Sequence, residues 1–342
     1  MADINIRIEG KVGRITLNRP KAMNALTYEM CLEIETALDA WGKDDRVSML
    51  VIDAAGDRAF CAGGDIAEMY ASGTRGDYEY GRKFWRDEYR MNSKLFEFPK
   101  PVASFMQGFT MGGGVGVGCH GSHRIVGTSS QIAMPECGIG LVPDVGGSLI
   151  LANAPGRLGE YIGTTSARLG AQDAIFAGFA DYYIPETEWP ALTAELVETG
   201  DWELVDKAAQ TAPEGRLTEQ SADIDKHFGG ATFGDILRSL QSEETIFTTA
   251  ALKSLGRNAP LSMACAVEMV HRLRGNTAIR PALELEYRFT HRAMEHADFI
   301  EGIRAAIIDK DRCPNWKHKL GDPVDSDVTK MLLPLGADAL KL

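Results

Sequence analysis

The N-terminal residues alternate between hydrophobic and polar side chains, which is the pattern of a strand that buries one face. The hydrophobic positions are Ile4, Ile6, Ile8, Ile15 and Leu17. Gly10 and Gly13 separate the two runs and are residues that turns favour. Period-two alternation on both sides of a glycine turn predicts a hairpin of two β-strands.

The next segment has hydrophobic residues at every third or fourth position. They are Cys31, Ile34, Leu38 and Trp41. Thr27, a residue type that caps helix N-termini, precedes this stripe, and Gly42 follows it. The pattern predicts an amphipathic helix. The largely hydrophobic run 49–54 then predicts a buried strand, so the order is strand, helix, strand.

The same order of elements recurs through the middle of the chain. The spacing predicts a helix over 78–96, strands over 102–106, 124–127 and 131–133, and a loop over 134–147. Helical patterns dominate from residue 186 onward. These elements predict an α/β fold with a ββα core over residues 1–185 and a mainly helical C-terminal module over residues 186–342.

One stretch of the second half has a composition typical of irregular structure. Residues 211–234 contain Pro213 and four glycines. This composition predicts a long connection between helices. Such a segment is either a lid or linker or an ordinary surface loop, and both interpretations stay open.

The composition is that of a globular protein with an acidic surface. Of the 342 residues, 44% are hydrophobic and 25% are charged, with a formal net charge of −12. This charge argues against nucleic acid or an anionic membrane as partners, because both are bound mainly by Lys and Arg. A small phosphorylated ligand remains compatible with it, and Arg19, Lys21 and Arg58 are candidate phosphate ligands.

The cysteines are scattered, without a C-x-x-C pair or the dense spacing of a disulfide scaffold. They are Cys31, Cys61, Cys119, Cys137, Cys265 and Cys313. We expect reduced thiols. The first residues lack a charged head followed by an apolar stretch, so we expect a cytoplasmic protein. The uncharged run 101–123 is interrupted by seven glycines and two histidines, and we expect no membrane span.

Two glycine-rich segments follow predicted strands and precede predicted helices. They are Ala59–Ile66 and Gly108–Gly116. Glycines at such turns allow a ligand to approach the backbone, and the following helix presents N–H groups at the positive end of its dipole. Two such turns can direct one N–H each at a single carbonyl oxygen. Each segment alone is also explained by tight packing around its glycines.

Four motifs together resemble the crotonase superfamily, whose members bind acyl-CoA thioesters. The motifs are Asn18–Leu26, Ala59–Ile66, the glycine turn at 112–114, and Met134-Pro135-Glu136. The resemblance covers roughly residues 4–317. It implies a crotonase-like ββα spiral core, an acyl-CoA substrate, and oxyanion N–H groups at Gly64 and Gly113. It also implies that coenzyme A is part of the substrate, that no separate cofactor is needed, and that homo-oligomers are common.

The hydratases of this superfamily use two glutamates, one of them three residues after the middle glycine of the turn. In this chain that position is Gly116, which carries no ionisable group. The second hydratase position is filled by Glu136. Asp144 follows in a Pro-Asp-Val-Gly-Gly segment. The combination of Glu136 and Asp144 is similar to the 3-hydroxyisobutyryl-CoA hydrolases.

Three further segments are similar to the same hydrolases. They are Phe84–Tyr89, Glu286–Arg288 and Phe299–Lys317. The first implies that Glu88 binds substrate, although a charge on such a helix is otherwise typical of a solvated face. The resemblance implies that Glu136 activates water or attacks the carbonyl, and that Asp144 orients Glu136 or binds the 3-hydroxyl group. Neither choice is decided by the sequence.

Other interpretations have weaker support. Residues 116–121 match a dinucleotide fingerprint but do not open the first strand–helix unit. Cys119, His120 and His123 lack a second cluster at zinc spacing, so no metal is expected. Asp65 is expected to cap the following helix. An enoyl-CoA isomerase or hydratase, and a non-catalytic acyl-CoA-binding protein, remain alternative functions.

Overall fold

The strands of the computed structural model, which describes residues 2–342, form two sheets. Their bounds are β1 Ile4–Glu9, β2 Val12–Leu17, β3 Met49–Ala54, β4 Ala59–Cys61, β5 Val102–Met106, β6 Phe109–Met111, β7 His123–Val126, β8 Gln131–Ala133 and β9 Tyr182–Tyr183. The larger sheet has the order β1-β2-β3-β5-β7-β9, and the smaller has the order β4-β6-β8. The predicted strands are confirmed to within a residue.

The order of strands explains the ββα repeat. Strands β1 and β2 pair antiparallel, and the later neighbours in both sheets pair parallel. Each consecutive pair, β3 and β4, β5 and β6, or β7 and β8, contributes one strand to each sheet. Successive strands from β3 to β8 therefore alternate between the larger and the smaller sheet. This arrangement confirms the predicted α/β class.

Helices account for most of the remaining regular structure. The α-helices are α1 Tyr28–Trp41, α2 Ala67–Thr74, α3 Glu79–Phe96, α4 Gly113–Gly118, α5 Gly147–Asn153, α6 Leu158–Thr165, α7 Ala171–Phe176, α8 Trp189–Thr199, α9 Glu203–Ala208, α10 Leu217–Phe228, α11 Phe233–Gln241, α12 Ile246–Leu255, α13 Pro260–Leu273, α14 Ile279–His296, α15 Phe299–Ile303 and α16 Asp325–Met331. Short 3-10 turns cover Pro20–Ala22, Glu136–Ile139, Glu186–Glu188 and Gly336–Asp338, and a π-helical turn covers Arg304–Ile308.

Helix α1 forms as its sequence pattern predicts. The side chain of Thr27 accepts a hydrogen bond from the Met30 amide, which satisfies one N–H that has no partner within the helix. The predicted stripe of Cys31, Ile34, Leu38 and Trp41 is buried. The cap fixes where the helix begins, and the stripe fixes the face that it buries.

One face of the larger sheet carries a core cluster. Met49 and Val51 alternate along β3, and Phe105 on β5 extends the same layer. Helix α8 covers this layer with Leu192 and Leu196. The strands place every second side chain on this face, and the helix places every fourth side chain on the face opposite. The hydrophobic side chains of both elements are therefore buried in one layer.

The prediction of an irregular connection over 211–234 is wrong. Residues 217–228 form helix α10, and α11 begins at Phe233. Pro213 and Gly215 lie before α10, and Gly229 and Gly230 lie after it, so these residues bound the helix. Gly234 lies within α11. Helix α10 buries Leu217, Ile224 and Phe228. The overall composition of residues 211–234 did not indicate this hydrophobic face.

The chain folds into two compact units. Unit 1 comprises residues 1–65, 90–133 and 168–218, and unit 2 comprises residues 66–89, 134–167 and 219–342. All the strands of the two sheets belong to unit 1, whereas unit 2 is helical. Both units are assembled from separate chain segments. The boundary predicted after residue 185 stays a prediction.

Two expectations from composition concern the cysteines and the membrane. No disulfide joins any of the six cysteines, all of which lie within residues 2–342; Cys313 is exposed and the other five are buried. The reduced state stays a prediction. Among residues 2–342, no helix combines the length and the hydrophobicity that crossing a bilayer requires.

Asn24 holds together the turn between β2 and α1. Its side chain is fully buried. The amide nitrogen donates to the carbonyls of Ala55 and Ala59 at 2.9 and 2.8 Å, and the side-chain oxygen accepts from the Arg19 amide at 2.8 Å. We predict that Asn24→Ala lowers the free energy of unfolding by about 2–4 kcal/mol, because buried groups lose their partners.

Urea unfolding followed by circular dichroism measures this loss. Asn18→Ala is the matched control, because the Asn18 side chain makes one exposed hydrogen bond to the Ala2 carbonyl. The control should change stability by less than about 0.5 kcal/mol. Equal stabilities of the two variants would contradict the proposed role of Asn24.

Candidate active site

The first glycine turn, at Gly64, directly follows strand β4. Gly63 has φ +116°, a conformation that residues with a side chain rarely adopt. The Leu26 amide donates to the Gly63 carbonyl at 2.9 Å, and the Asp65 amide donates to the Leu26 carbonyl at 2.8 Å. Gly64 is therefore held from both sides. Its own N–H finds no acceptor among residues 2–342.

The second glycine turn, at Gly113, connects strand β6 to helix α4. Gly112 has φ 50° and ψ −121°, a region open essentially to glycine alone. Gly113 is the first residue of α4, so its N–H has no partner within the helix. Within the described part of the chain, 2–342, it has no other acceptor either.

Packing explains one glycine of this turn but not all of them. A Cβ at Gly114 would lie 2.2 Å from the Cys61 carbonyl oxygen, so only glycine fits there. The interpretation of the glycines as packing residues is therefore correct for Gly114. It does not account for the unpaired N–H of Gly113.

Both turns lie at the same edge of the smaller sheet. Strands β4 and β6 pair parallel, with Cys61 opposite Thr110, and parallel strands lie about 4.8 Å apart. Gly64 follows the end of β4, and Gly113 follows the end of β6. Two unpaired amides thus leave adjacent strands at one edge. Such a pair can bind an oxyanion, which is the role predicted for them.

Glu136 opens the 3-10 turn that follows Met134-Pro135 in unit 2. Its side chain is 4% exposed, and its Oε2 atom is buried with no hydrogen-bond partner among residues 2–342. Burial, followed by the charge of Asp144, raises the pKa of Glu136 well above its usual range. Buried polar atoms are almost always hydrogen-bonded, and this oxygen is therefore able to accept a hydrogen bond from a substrate or a water molecule.

Asp144 lies in the same unit and is equally buried. The Tyr89 hydroxyl donates to Asp144 Oδ2 at 2.7 Å. Burial raises the pKa of Asp144 to about 7, although the Tyr89 hydrogen bond opposes the rise. The charge of Asp144 thus raises the pKa of Glu136, but burial is the largest cause at both residues.

Glu88 and Glu286 complete a cluster of four buried carboxyl groups with Glu136 and Asp144. Burial, then Asp144 and Glu286, raises the pKa of Glu88 well above its usual range. Burial, then Asp144, raises the pKa of Glu286 to about 8. No Lys or Arg of the described chain forms an ion pair with any of the four. Unit 2 therefore brings together the three predicted residues Glu88, Glu136 and Asp144.

Sequence reasoning missed the roles of Glu286 and Tyr89, although both lie in segments that resemble the hydrolases. A signal for Glu286 was present. On α14 the buried positions Ile279, Leu283 and Ala293 recur at helical spacing, and Glu286 occupies a place where that spacing predicts a hydrophobic residue. A charge on the buried face of a helix indicates a functional position.

The chain directly after Asp144 adopts a left-handed turn. Val145 has φ 54° and Gly146 has φ 81°. The Gly147 amide donates to the Asp144 carbonyl at 2.7 Å and closes the turn. A β-branched residue in this region costs about 1–3 kcal/mol, and such strain is concentrated at functional sites.

Asp65 does not cap helix α2, and that prediction is wrong. The helix begins at Ala67 with Ile66 at the N-cap position and no side-chain cap. Asp65 instead accepts a hydrogen bond from Arg19 Nη2 at 3.0 Å. Lys21 and Arg58 are exposed. The role of these three cations in binding phosphates stays a prediction.

The residues with a weak resemblance to metal or nucleotide motifs have other contacts. His120 packs edge-on against Phe96, and His123 stacks on Tyr182. Burial raises the pKa of the Cys119 thiol to about 12. Among residues 2–342, no group of three or more His, Cys, Asp or Glu side chains is arranged to hold a metal ion.

Comparison with known proteins identifies the family. A family model described as enoyl-CoA hydratase/isomerase matches residues 12–333. The chain belongs to this family. The resemblance to the crotonase superfamily is therefore confirmed, and with it the crotonase-like fold class.

Curated relatives match the chain over nearly its full length. The protein named 3-hydroxyisobutyryl-CoA hydrolase, mitochondrial, of Gallus gallus is 32% identical over 354 residues, covering 100% of this chain and 91% of its own. The protein of the same name from Danio rerio is 34% identical, covering 90% and 83%. The similarity therefore includes the helical C-terminal half.

Solved structures with other names are also similar. A structure titled enoyl-CoA hydratase from Rhodobacter sphaeroides 2.4.1 is 55% identical, with a TM-score of 0.95 over 100% of both chains. A carnitinyl-CoA dehydratase from Mycobacterium thermoresistibile is 37% identical, with a TM-score of 0.93, covering 98% of this chain and 97% of that one. All of these names include a CoA compound, and they differ in the reaction.

The raised pKa of Asp144 leads to a prediction about stability. Its pKa rises from 3.8 to about 7 on folding, so the folded state retains a proton that the unfolded chain loses first. Wild-type stability therefore falls as the pH rises from about 4 to about 7. Asp144→Asn abolishes this loss, and we expect it to be more stable above pH 7, by up to about 4 kcal/mol.

Urea unfolding of both proteins between pH 4 and pH 8 measures the difference. It should grow with pH up to about 7 and then stay constant. Glu160→Gln is a matched control that should change stability in the opposite direction. Burial favours a higher pKa for Glu160, but hydrogen bonding to His271 and the charge of Arg274 lower that pKa overall. This variant should therefore be less stable than the wild type at pH 7. A pH-independent effect of Asp144→Asn would contradict the prediction.

Proposed function

We propose that this chain hydrolyses a short-chain 3-hydroxyacyl-CoA thioester. The proposed reaction is 3-hydroxyisobutyryl-CoA plus water giving 3-hydroxyisobutyrate and coenzyme A, a step in valine breakdown. The observation that carries the proposal is the pairing of buried Glu136 with buried Asp144 while Gly116 occupies the other glutamate position of a hydratase. The names of the curated relatives support it.

The chemistry of thioester hydrolysis requires three contributions. The amides of Gly64 and Gly113 stabilise the oxygen that becomes negative when the carbonyl is attacked, and each such donor contributes about 3–4 kcal/mol in studied enzymes. Glu136 activates water or attacks the carbonyl to give an anhydride. The leaving thiolate needs little acid assistance, because thiols have a pKa of ~8.5.

Glu136 and Asp144 have different proposed roles in the reaction. The raised pKa of Glu136 makes its ionised form a stronger base than an ordinary carboxylate. Asp144, held by Tyr89, orients Glu136 or binds the 3-hydroxyl group of the substrate. Glu88, which is buried in the same unit, is a proposed substrate ligand in addition to Gly113, Glu136 and Asp144.

Hydration is disfavoured by the residue at position 116. Adding water across a double bond requires one group that delivers hydroxide and one that delivers a proton. Gly116 lies buried within α4, and its carbonyl accepts a hydrogen bond from Asn92. It therefore supplies no proton donor of its own. This is why we prefer hydrolysis although the similar solved structures are titled hydratase and dehydratase.

Two alternatives leave the thioester bond unbroken. An enoyl-CoA isomerase works with one carboxylate and leaves the thioester intact. A non-catalytic acyl-CoA-binding protein binds the ligand without turnover, and Glu136 and Asp144 would then be dispensable. Release of thiol distinguishes hydrolysis from both.

Coenzyme A is proposed as part of the substrate, with no separate cofactor. A homo-oligomer, and the absence of nucleic-acid and membrane partners, stay predictions from the sequence. A cytoplasmic location also stays a prediction, and the names of the vertebrate relatives place those proteins in mitochondria.

The first functional prediction concerns the two carboxyl groups. We expect Glu136→Gln to lower kcat for thiol release at least ~10³-fold and Asp144→Asn at least ~10²-fold, because each removes a group that acts on the reacting atoms. The measurement is thiol release from a panel of acyl-CoAs, including 3-hydroxyisobutyryl-CoA and a 2-enoyl-CoA.

Glu160→Gln is again the matched control, since Glu160 is buried in unit 2 but binds Arg157, His271 and Arg274. It should retain a kcat within about threefold of wild type. Wild-type rates in both Glu136→Gln and Asp144→Asn would overturn the assignment of the site. Without thiol release, loss of the double bond would favour hydratase chemistry, and a shift of the double bond would favour isomerase chemistry.

The second functional prediction isolates the Gly113 amide. Gly113→Pro removes the N–H, and proline is tolerated at the first position of a helix. Gly113→Ala adds a Cβ but keeps the N–H. We expect the Pro variant to have a kcat about 10²–10³-fold below that of the Ala variant. Circular dichroism establishes that both fold, and equal kcat values in two folded variants would contradict an oxyanion role for this amide.

A further inference from the structure

The Glu286 carboxylate binds the chain segment that immediately follows Asp144. Glu286 Oε2 accepts from the Gly146 amide at 2.9 Å, and Oε1 accepts from the Ser148 amide at 3.2 Å. The Ser148 hydroxyl also donates to Oε1. All of these residues belong to unit 2. One side chain of α14 thus holds three donors of a segment that lies 140 residues earlier in the chain.

This segment has no cap of its own. Helix α5 begins at Gly147, and the residue at its N-cap, Gly146, has no side chain. The amides of Gly146 and Ser148 would therefore lack partners without Glu286. The same carboxylate stabilises the left-handed conformation of Val145 and Gly146 that brings the chain from Asp144 into the helix.

Capping alone does not explain why the cap is a buried carboxyl group. Ser, Thr or Asn caps helices equally well, and a carboxyl group buried near other carboxyl groups loses the hydration that favours its ionised form. Glu286 is fully buried, and Asp144 is the neighbouring charge that acts on it most strongly. The carboxyl group places two acceptor oxygens on one planar unit next to Asp144, and both oxygens bind the segment that follows Asp144.

We propose that Glu286 is a positioning residue that fixes the main chain carrying Asp144 and so orients its carboxyl group for the reaction. Tyr89 holds the end of the Asp144 side chain through Oδ2, and Glu286 holds the backbone of the residues that follow Asp144. Asp144 is thus fixed at both its side chain and its backbone. This inference rests on the proposed thioester hydrolysis.

The test is a double-mutant cycle on thiol release from 3-hydroxyisobutyryl-CoA. Glu286→Gln leaves a single carbonyl oxygen and turns an NH2 group towards donors, so the segment loses at least one hydrogen bond. We expect kcat to fall about 10–100-fold with KM within about threefold. In the Asp144→Asn background, Glu286→Gln should lower kcat by less than about threefold, because Glu286 acts through Asp144.

Controls separate orientation from folding. Glu160→Gln removes a different buried carboxylate of unit 2 and should keep kcat within about threefold. Ser148→Ala removes only the hydroxyl hydrogen bond and should lower kcat roughly two- to fivefold, again without a further effect in Asp144→Asn. If Glu286→Gln does not fold, the Ser148→Ala cycle decides the question alone.

The outcomes distinguish the two proposals. A wild-type protein that releases no thiol from any acyl-CoA overturns the proposed function, and this inference with it. If the wild type is active, an unchanged kcat in Glu286→Gln, or in Ser148→Ala where Glu286→Gln does not fold, overturns this inference but leaves the proposed function standing. Equal losses in the wild-type and Asp144→Asn backgrounds also overturn it, since Glu286 would then act independently of Asp144.

Discussion

The burial of four carboxyl groups without a cationic partner among the described residues is the constraint on which the rest of unit 2 depends. A carboxylate taken out of water without compensation is strongly unfavourable, and the usual result is that it keeps its proton. Here burial is the largest cause of the raised pKa at Glu88, Glu136, Asp144 and Glu286. The unit must therefore supply hydrogen-bond donors that stabilise the ionised form at selected positions.

The donors are distributed unequally over the four groups. Asp144 receives one from Tyr89, and Glu286 receives three from the start of α5. Glu136 has a buried oxygen without a donor among the described residues. Glu286, with three donors, is thus suited to a fixed role, and Glu136, with an unpaired oxygen, is suited to exchanging protons during a reaction.

Much of the fold could be predicted from the sequence, because its signals are local. The period of two in β1 and β2, the Thr27 cap and the stripe of α1 each depend on neighbouring residues alone. The glycine turns could also be located from their composition, although the short strands β4 and β6 that end before them were not predicted. Helix α10 was missed because Pro213, Gly229 and Gly230 were taken as signs of a loop over the whole segment, although they lie just outside the two ends of the helix.

The residues of the candidate site that belong to a family motif could be predicted from the sequence. The residues whose roles depend on tertiary contacts could not. Glu136, Asp144 and Glu88 followed from resemblance to a family. The roles of Tyr89 and Glu286 depend on contacts across 55 and 140 residues, which no local pattern specifies. Asp65 was misassigned for the same reason, because its partner Arg19 lies 46 residues away.

The interleaving of the two units along the chain has a consequence for engineering. The polypeptide passes from one unit to the other five times, at residues 65, 89, 133, 167 and 218. Neither unit corresponds to one continuous stretch of gene, so neither can be expressed by trimming the ends. Cutting the coding sequence after residue 185 would remove parts of both. Exchange of modules with a related enzyme would have to follow spatial rather than sequential divisions.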